Sequence, residues 1–101
     1  MWHFVGLEAQ TVYVNGTVRD AQGKPLGQVL CKLLSARDSL LTYVVTRPTG
    51  AYRLPVKQGG TQLVFSKMGY APVRLVYEAS RRQVDVSLVE QSQSIKGVTI
   101  R

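Results

Sequence analysis

The stretch that decides the fold is residues 11–35, which read TVYVNGTVRDAQGKPLGQVLCKLLS. Its first half alternates apolar and polar residues, so that Val12, Val14 and Val18 fall on one face. A period of two residues is typical of a β-strand with one buried side. The alternation returns over residues 28–35. The stretch therefore predicts two strands that flank a turn.

Residues 20–25, which read DAQGKP, supply the turn. The Asp20 side chain can accept hydrogen bonds from the backbone that follows it, and Gly23 adopts a positive φ without steric cost. We therefore predict a tight, locally stabilised connection here.

The same alternation recurs along the rest of the chain, and no segment keeps a helical period over three turns. Short strands spaced by about ten residues and separated by Gly/Pro turns indicate an antiparallel sandwich or barrel. The predicted strands cover residues 11–20, 28–35, 40–46, 51–56, 61–67, 72–77 and 83–88. Pro55 in the fourth strand favours a strand at a sheet edge or the end of a strand.

A length of 101 residues corresponds to one domain. We assign residues 11–90 to it. Residues 1–10 are either the remnant of a signal peptide that ends near Ala9 or a disordered leader. We interpret residues 91–101 as a polar linker followed by a short strand.

The residue types exclude several kinds of chemistry. The chain has one His and one Cys, whereas a structural zinc site needs about four ligands and a catalytic one about three. No intramolecular disulfide can form. The aspartates at 20, 38 and 85 lie on different loops or strands, so no acid–base pair is expected. We therefore expect a non-enzyme with no catalytic residue, no metal site and no cofactor.

The net charge of +7 favours acidic partners, among them an acidic membrane surface. The basic residues are scattered, however, and Arg81–Arg82 is the only adjacent pair. We interpret most of them as a solvated face, and we expect no binding of nucleic acid.

The cysteine and several tyrosines fall on apolar faces, where packing is the favoured interpretation. Cys31 shares a face with Val29 and Leu33, so we expect a buried thiol. The tyrosines assigned to the core are Tyr43, Tyr52 and Tyr77. Tyr70 follows Gly69, and we expect a corner tyrosine there, with its hydroxyl bonded to backbone.

Four segments in order carry a family resemblance: GTVRDAQGKPLGQV at 16–29, TRPTGAYRLPV at 46–56, LVFSKMGY at 63–70 and VDVSL at 84–88. Together they resemble the carboxypeptidase regulatory-like domain over about residues 12–89. The resemblance implies a seven-stranded antiparallel Greek-key β-sandwich of the transthyretin (prealbumin) type. Arg47 departs from the family pattern, which often has an acidic residue there.

Further segments are similar to the variant at the N-terminus of outer-membrane β-barrel proteins of Bacteroidetes-type bacteria, such as TonB-dependent receptors. These are AQT at 9–11, DSLL at 38–41 and IKGVTI at 95–100. The resemblance implies an exported accessory domain at the periplasmic face of the outer membrane, which supports nutrient or glycan uptake. Its partner would be its own downstream plug and barrel domain or a cell-envelope protein. The alternative is a free-standing secreted or surface binding or adhesion module.

The candidate partner-contact residues lie in the tail: Ser94, Ile95, Val98 and Ile100. Their apolar spacing suits a docking strand that adds to another protein. An ordinary interdomain linker explains the segment equally well, so both interpretations stay open. The sequence does not identify a small-molecule ligand.

Overall fold

The computed structural model describes residues 11–91, which form two β-sheets and contain no helix. This confirms the predicted all-β sandwich. Its seven strands are β1 (Tyr13–Asp20), β2 (Leu30–Ser35), β3 (Leu40–Val45), β4 (Ala51–Pro55), β5 (Gly60–Ser66), β6 (Val73–Val76) and β7 (Val86–Leu88). Over this part of the chain, no helix is long and apolar enough to cross a membrane.

The strands are ordered β4-β1-β7 in one sheet and β3-β2-β5-β6 in the other. Four neighbouring pairs are antiparallel, as predicted. The pair β1–β7 is parallel, with Val18 opposite Val86, which corrects the expectation of a wholly antiparallel arrangement. A parallel pair needs a long crossover, and here the crossover contains every other strand.

Strand β7 is also shorter than the predicted strand, and a side chain explains why. The Thr17 amide donates to the Asp85 carboxylate (2.9 Å) instead of to a backbone carbonyl. The ladder contacts resume upstream, where Val84 donates to the Asn15 carbonyl (2.9 Å). Regular pairing is therefore interrupted just before β7.

The core lies between the sheets and takes alternate residues from both. Its largest fully buried side chains are Phe65, Leu33, Leu54, Leu63, Leu88, Val14, Val18, Val29 and Cys31. Tyr52 packs edge-on against Phe65, with ring centroids 5.4 Å apart. Burial of these apolar side chains is the main favourable contribution to folding.

Local turn chemistry follows the sequence prediction closely. The Asp20 carboxylate accepts from the amides of Gln22 (2.8 Å) and Lys24 (2.9 Å). Gly23 adopts a φ of 87°. The fourth strand ends at Pro55 and lies at a sheet edge, as its proline predicted.

The prediction that Tyr43 lies in the core is wrong, since its side chain is 56% exposed. The register places Val44 opposite the inward-facing Cys31, so Tyr43 faces outward beside Lys32. Both phases of β3 are apolar, and the alternation alone does not distinguish them. Of the other two tyrosines assigned to the core, Tyr52 is buried, and Tyr77 is half-buried and packs against the core cluster.

Candidate interaction surface

The three aspartates at 20, 38 and 85 lie apart, and each has its own partner. Asp20 caps its turn, and Asp85 binds the Thr17 amide. Asp38 forms an ion pair with Arg74 (3.3 Å) on the surface. Across residues 11–91 no group of three His, Cys, Asp or Glu side chains is placed to hold a metal ion.

The thiol of Cys31 is fully buried, and its Sγ lies 3.7 Å from the Val29 carbonyl oxygen. Burial raises the pKa of this thiol to about 12. The thiolate, which is the nucleophilic form, is therefore suppressed at neutral pH. Cys31 acts as a small core residue, as predicted.

Among the residues that the structure describes, the tyrosine hydroxyl bond to backbone that was expected at Tyr70 is found at Tyr52 instead. Its Oη donates to the Val84 carbonyl (2.5 Å), which joins β4 to the segment before β7. Burial raises the pKa of Tyr52, so the hydroxyl keeps its proton. The shared face of Tyr52 and Leu54 predicted that Tyr52 is buried. The sequence did not predict the hydrogen-bond partner of its hydroxyl, which lies 32 residues away.

Thr46 is a further buried polar residue that the sequence interpretation missed. Its Oγ1 accepts from the Val29 amide (2.9 Å) and donates to the Leu26 carbonyl (2.8 Å). Both capacities of the hydroxyl are therefore satisfied inside the sandwich. Thr46 holds the end of β3 against the start of β2, which gives it a structural role.

The outer face of the four-stranded sheet is unusually apolar. We use the name outer sheet face for Leu30, Leu34, Leu40, Tyr43, Val45, Val64 and Val76. The register puts these residues on the side opposite to the core-facing residues Cys31, Leu33 and Phe65. Leu34 and Val64 are buried but do not belong to the core cluster, so they form a small apolar layer on the outside.

Four residues of the outer sheet face are strongly exposed. The exposed fractions are 53% for Leu40, 56% for Tyr43, 49% for Val45 and 74% for Val76. Three of these four lie on β3. Those three form a cluster at one edge of the sheet, whereas Val76 lies on β6 at the other edge. Clustered apolar exposure marks interaction sites in folded proteins.

The charged groups on this face are basic. Lys32 lies between Tyr43 and Val64 in the register, and it has no salt-bridge partner among the residues that the structure describes. Arg74 is engaged, because it contacts both Asp38 and the Gln62 side chain. The unpaired charge near the centre of the face is therefore positive.

A separate cleft opens at one end of the sandwich and has a volume of about 410 Å³. The turn at Gln58–Gly60 and Tyr77 line it, and its charged lining residues are Lys57 and Arg82. This arrangement can attract an anion electrostatically, but no buried polar group faces into it. The cleft is therefore a weaker candidate for a binding site than the outer sheet face.

The candidate contact residues Ser94, Ile95, Val98 and Ile100 lie outside the described residues, as do His3 and the rest of the leader. The described chain ends beside the β5–β6 turn, where the Gln91 amide donates to the Gly69 carbonyl (2.8 Å). The outer sheet face was not predicted from the sequence. Its signal was β3 itself, LLTYVV, in which both phases are apolar.

Comparison with known protein families gives a match over most of the chain. The family described as the carboxypeptidase regulatory-like domain matches residues 13–89. This interval contains all seven strands and the whole outer sheet face. A comparison with curated proteins finds no significant match.

Proposed function

The chain belongs to the carboxypeptidase regulatory-like domain family, and from this premise we propose that it is a non-enzymatic accessory domain of an outer-membrane β-barrel protein. In this role it binds protein on the periplasmic side and supports nutrient or glycan uptake. The family is a regulatory-like β-sandwich rather than a catalytic fold.

The observation that carries the binding role is the outer sheet face. A two-layer sandwich buries its inner faces, and the outer face of an antiparallel sheet is ordinarily polar. Here Tyr43 and Val45 on that face are about half exposed. Apolar surface that does not contribute to the core is suited to contact with another protein.

The outer-membrane context is supported by sequence resemblance. Residues 38–41 and 95–100 are similar to segments of domains attached to TonB-dependent receptors. Leu40 is the first residue of β3 and is exposed. It therefore belongs both to the segment that carries the resemblance and to the outer sheet face.

The net charge contributes a weaker, less specific attraction. A charge of +7 favours a position near acidic lipid headgroups or an acidic neighbouring domain. Salt weakens such an attraction over a Debye length of about 8 Å at physiological ionic strength. It would assist placement at the membrane without selecting a partner.

The test is to read the gene beyond the codon for Arg101. We expect a plug-like segment followed by many alternating strands of about ten residues with aromatic girdles, which is the signature of a transmembrane barrel. A stop codon, or further sandwich domains, would contradict the barrel context. The chain would then be a secreted or surface binding module.

If the barrel is present, an in-frame deletion of residues 11–91 in the native host tests the role itself. We expect the shortened protein to reach the outer membrane and to lose most of its uptake activity. Unchanged uptake at an equal amount of barrel in the membrane fraction would contradict an accessory function.

A further inference from the structure

We propose that the free edge of β3, together with the outer sheet face, binds an extended acidic and apolar segment of a partner protein as an additional strand. The inference rests on the proposed binding role and gives the chemistry of the partner. It does not depend on the outer-membrane context.

Strand β3 differs from the other edge strands in that it carries no charge and no proline and is the longest of the four, although a bulge interrupts its pairing with β2 near Leu40. Natural edge strands carry charges or proline, or they are very short, which prevents pairing with other chains. Strand β4 contains Arg53 and ends in Pro55, β6 has four residues including Arg74, and β7 has three residues.

Strand β3 has six residues, LLTYVV, with no charge and no proline. It lies at one edge of its sheet, and within residues 11–91 no strand pairs with its outer side. A strand of this length spans about 20 Å and offers a row of backbone donors and acceptors. It can therefore template one added strand.

The charges around β3 select an acidic occupant. Arg37 precedes the strand, Arg47 follows it, and Lys32 lies beside Tyr43 on the neighbouring strand. None of the three has a salt-bridge partner among the described residues. Asp38, the acidic residue nearest in sequence, is already paired with Arg74.

The same charges disfavour a second copy of this chain. If two β3 strands paired antiparallel, the start of each would lie beside the end of the other. Arg37 of one copy would then approach Arg47 of the other, and like charges across strands are destabilising. The net charge of +7 on each copy adds to this repulsion.

These constraints define the partner segment. It is extended over about six residues, as strand addition requires. Its alternate apolar side chains lie beside Tyr43 and Val45 on the outer sheet face. Carboxylates near its centre or ends pair with Lys32, Arg37 or Arg47.

The experiment selects ligands from random peptides of about ten residues displayed on phage, with the 101-residue chain as bait. We expect enrichment of alternating β-branched or aromatic residues interspersed with Asp and Glu. Synthetic versions of the selected peptides should shift the NMR amide signals of residues 40–45. They should also slow hydrogen exchange at the outward-facing amides of β3.

Two variants test the location and the charge. Tyr43→Glu should weaken binding of a selected peptide by about tenfold or more, because it removes apolar contact and adds a like charge. The matched control is Met68→Glu in the β5–β6 turn, which is also exposed and should leave binding unchanged. The Lys32→Glu variant should bind the selected acidic peptide more weakly than the parent does. It should bind a version of the peptide with Lys in place of Glu more tightly.

Strand addition itself is tested by methylating backbone nitrogens of the peptide. N-methyl groups on alternate residues fall either on the edge that faces β3 or on the opposite edge. One methylated version should lose binding and the other should keep it. If both keep full binding, side-chain docking replaces strand addition and the proposal is wrong.

Other results would also overturn the proposal. These are the absence of enriched peptides, enrichment of basic peptides, binding unaffected by Tyr43→Glu, or signal shifts confined to β6. A concentration-dependent dimer that Tyr43→Glu dissociates would identify a second copy as the occupant. None of these outcomes depends on what the gene encodes beyond Arg101. Failure of this proposal is therefore distinguishable from failure of the outer-membrane proposal.

Discussion

The two sheets have similar inner faces but different outer faces. The outer face of the three-stranded sheet carries polar side chains at Asn15, Thr17, Arg19, Arg53 and Ser87. Its Tyr13 ring is covered by the Arg53 guanidinium, 3.9 Å from the ring centroid. The outer face of the four-stranded sheet exposes Tyr43, Val45 and Val76. One fold therefore contains both a solvated face and an apolar one.

This difference separates what folding requires from what it does not. A two-layer sandwich needs one apolar face per sheet, and both sheets provide it. The three-stranded sheet shows that a polar outer face is compatible with this fold. The exposed apolar residues of the other sheet are therefore not required by the fold, which supports the proposed binding role, and five predictions test this distinction.

The largest effect is expected for a charge placed on an inner face. Val86→Asp in β7 buries a carboxylate without a partner and should cost about 3–5 kcal/mol. The matched control is Val76→Asp on the outer sheet face, where the side chain is 74% exposed and the cost should stay below about 0.5 kcal/mol. Urea unfolding followed by far-UV circular dichroism measures both. Equal losses would remove the distinction between the faces.

The next effect concerns the close approach of β1 to the segment before β7. A Cβ atom on Gly16 would lie 1.8 Å from the Val84 carbonyl oxygen, so Gly16→Ala forces the two backbones apart. We expect a loss of about 3 kcal/mol in the free energy of unfolding. The control is Gly23→Asn, because a Cβ atom added to Gly23 would have no contact within 4 Å. This substitution should lower the free energy of unfolding by less than about 1 kcal/mol. A small effect of Gly16→Ala would mean that this approach can relax.

The local parts of the fold were predictable because their causes are local. Alternation placed the strands, and the Asp20 turn closes through bonds to Gln22 and Lys24. The parallel β1–β7 pair was not predictable, since it joins the two ends of the domain. The Tyr52–Val84 hydrogen bond likewise depends on how distant segments pack.

The candidate surface was predictable only in part. The sequence placed partner contacts in the tail, at residues outside the described region, and assigned Tyr43 to the core. The alternation of β3 is ambiguous because LLTYVV is apolar in both phases. Only the register with β2 shows that Val44 points inward and Tyr43 outward. The ambiguity is itself informative. Only one of the two apolar phases can face the core, so the other phase leaves apolar side chains on the outer face of the sheet.

An intermediate effect on the free energy of unfolding is expected at alkaline pH. It comes from titratable side chains that are buried on the inner faces of the sheets. Burial raises the pKa of Cys31 from its ordinary 9.0 to about 12. Below pH 9 the thiol is protonated in both states. Between pH 9 and about 12 only the unfolded chain releases the proton, so the free energy of unfolding falls as the pH rises.

Tyr52 contributes in the same direction, because burial also raises its pKa. The control for the thiol is Cys31→Val, which keeps an apolar side chain and removes one titrating group. Urea unfolding at a series of pH values should give a shallower alkaline decline for this variant. An unchanged decline would show that Cys31 does not contribute to it.

A smaller effect is expected for the Tyr52 hydroxyl. Tyr52→Phe keeps the contact with Phe65 but leaves the Val84 carbonyl without its donor. The loss should be about 1–2 kcal/mol. Tyr13→Phe is the control on the polar outer face and should change the free energy of unfolding by less than about 0.5 kcal/mol. A neutral Tyr52→Phe would mean that water or another group satisfies the carbonyl.

The smallest effect on stability is expected where the effect on binding is largest. The Tyr43 ring is 56% exposed and lies outside the core cluster, so Tyr43→Glu should change the free energy of unfolding by less than about 0.5 kcal/mol. Lys32, opposite in the register, can pair with the new carboxylate. Urea unfolding of the variant and the parent measures the change. A loss above about 1.5 kcal/mol would mean that Tyr43 packs on the outer layer with Leu34 and Val64 and is retained for stability. A loss near zero leaves binding as the reason for a large apolar side chain on an open edge.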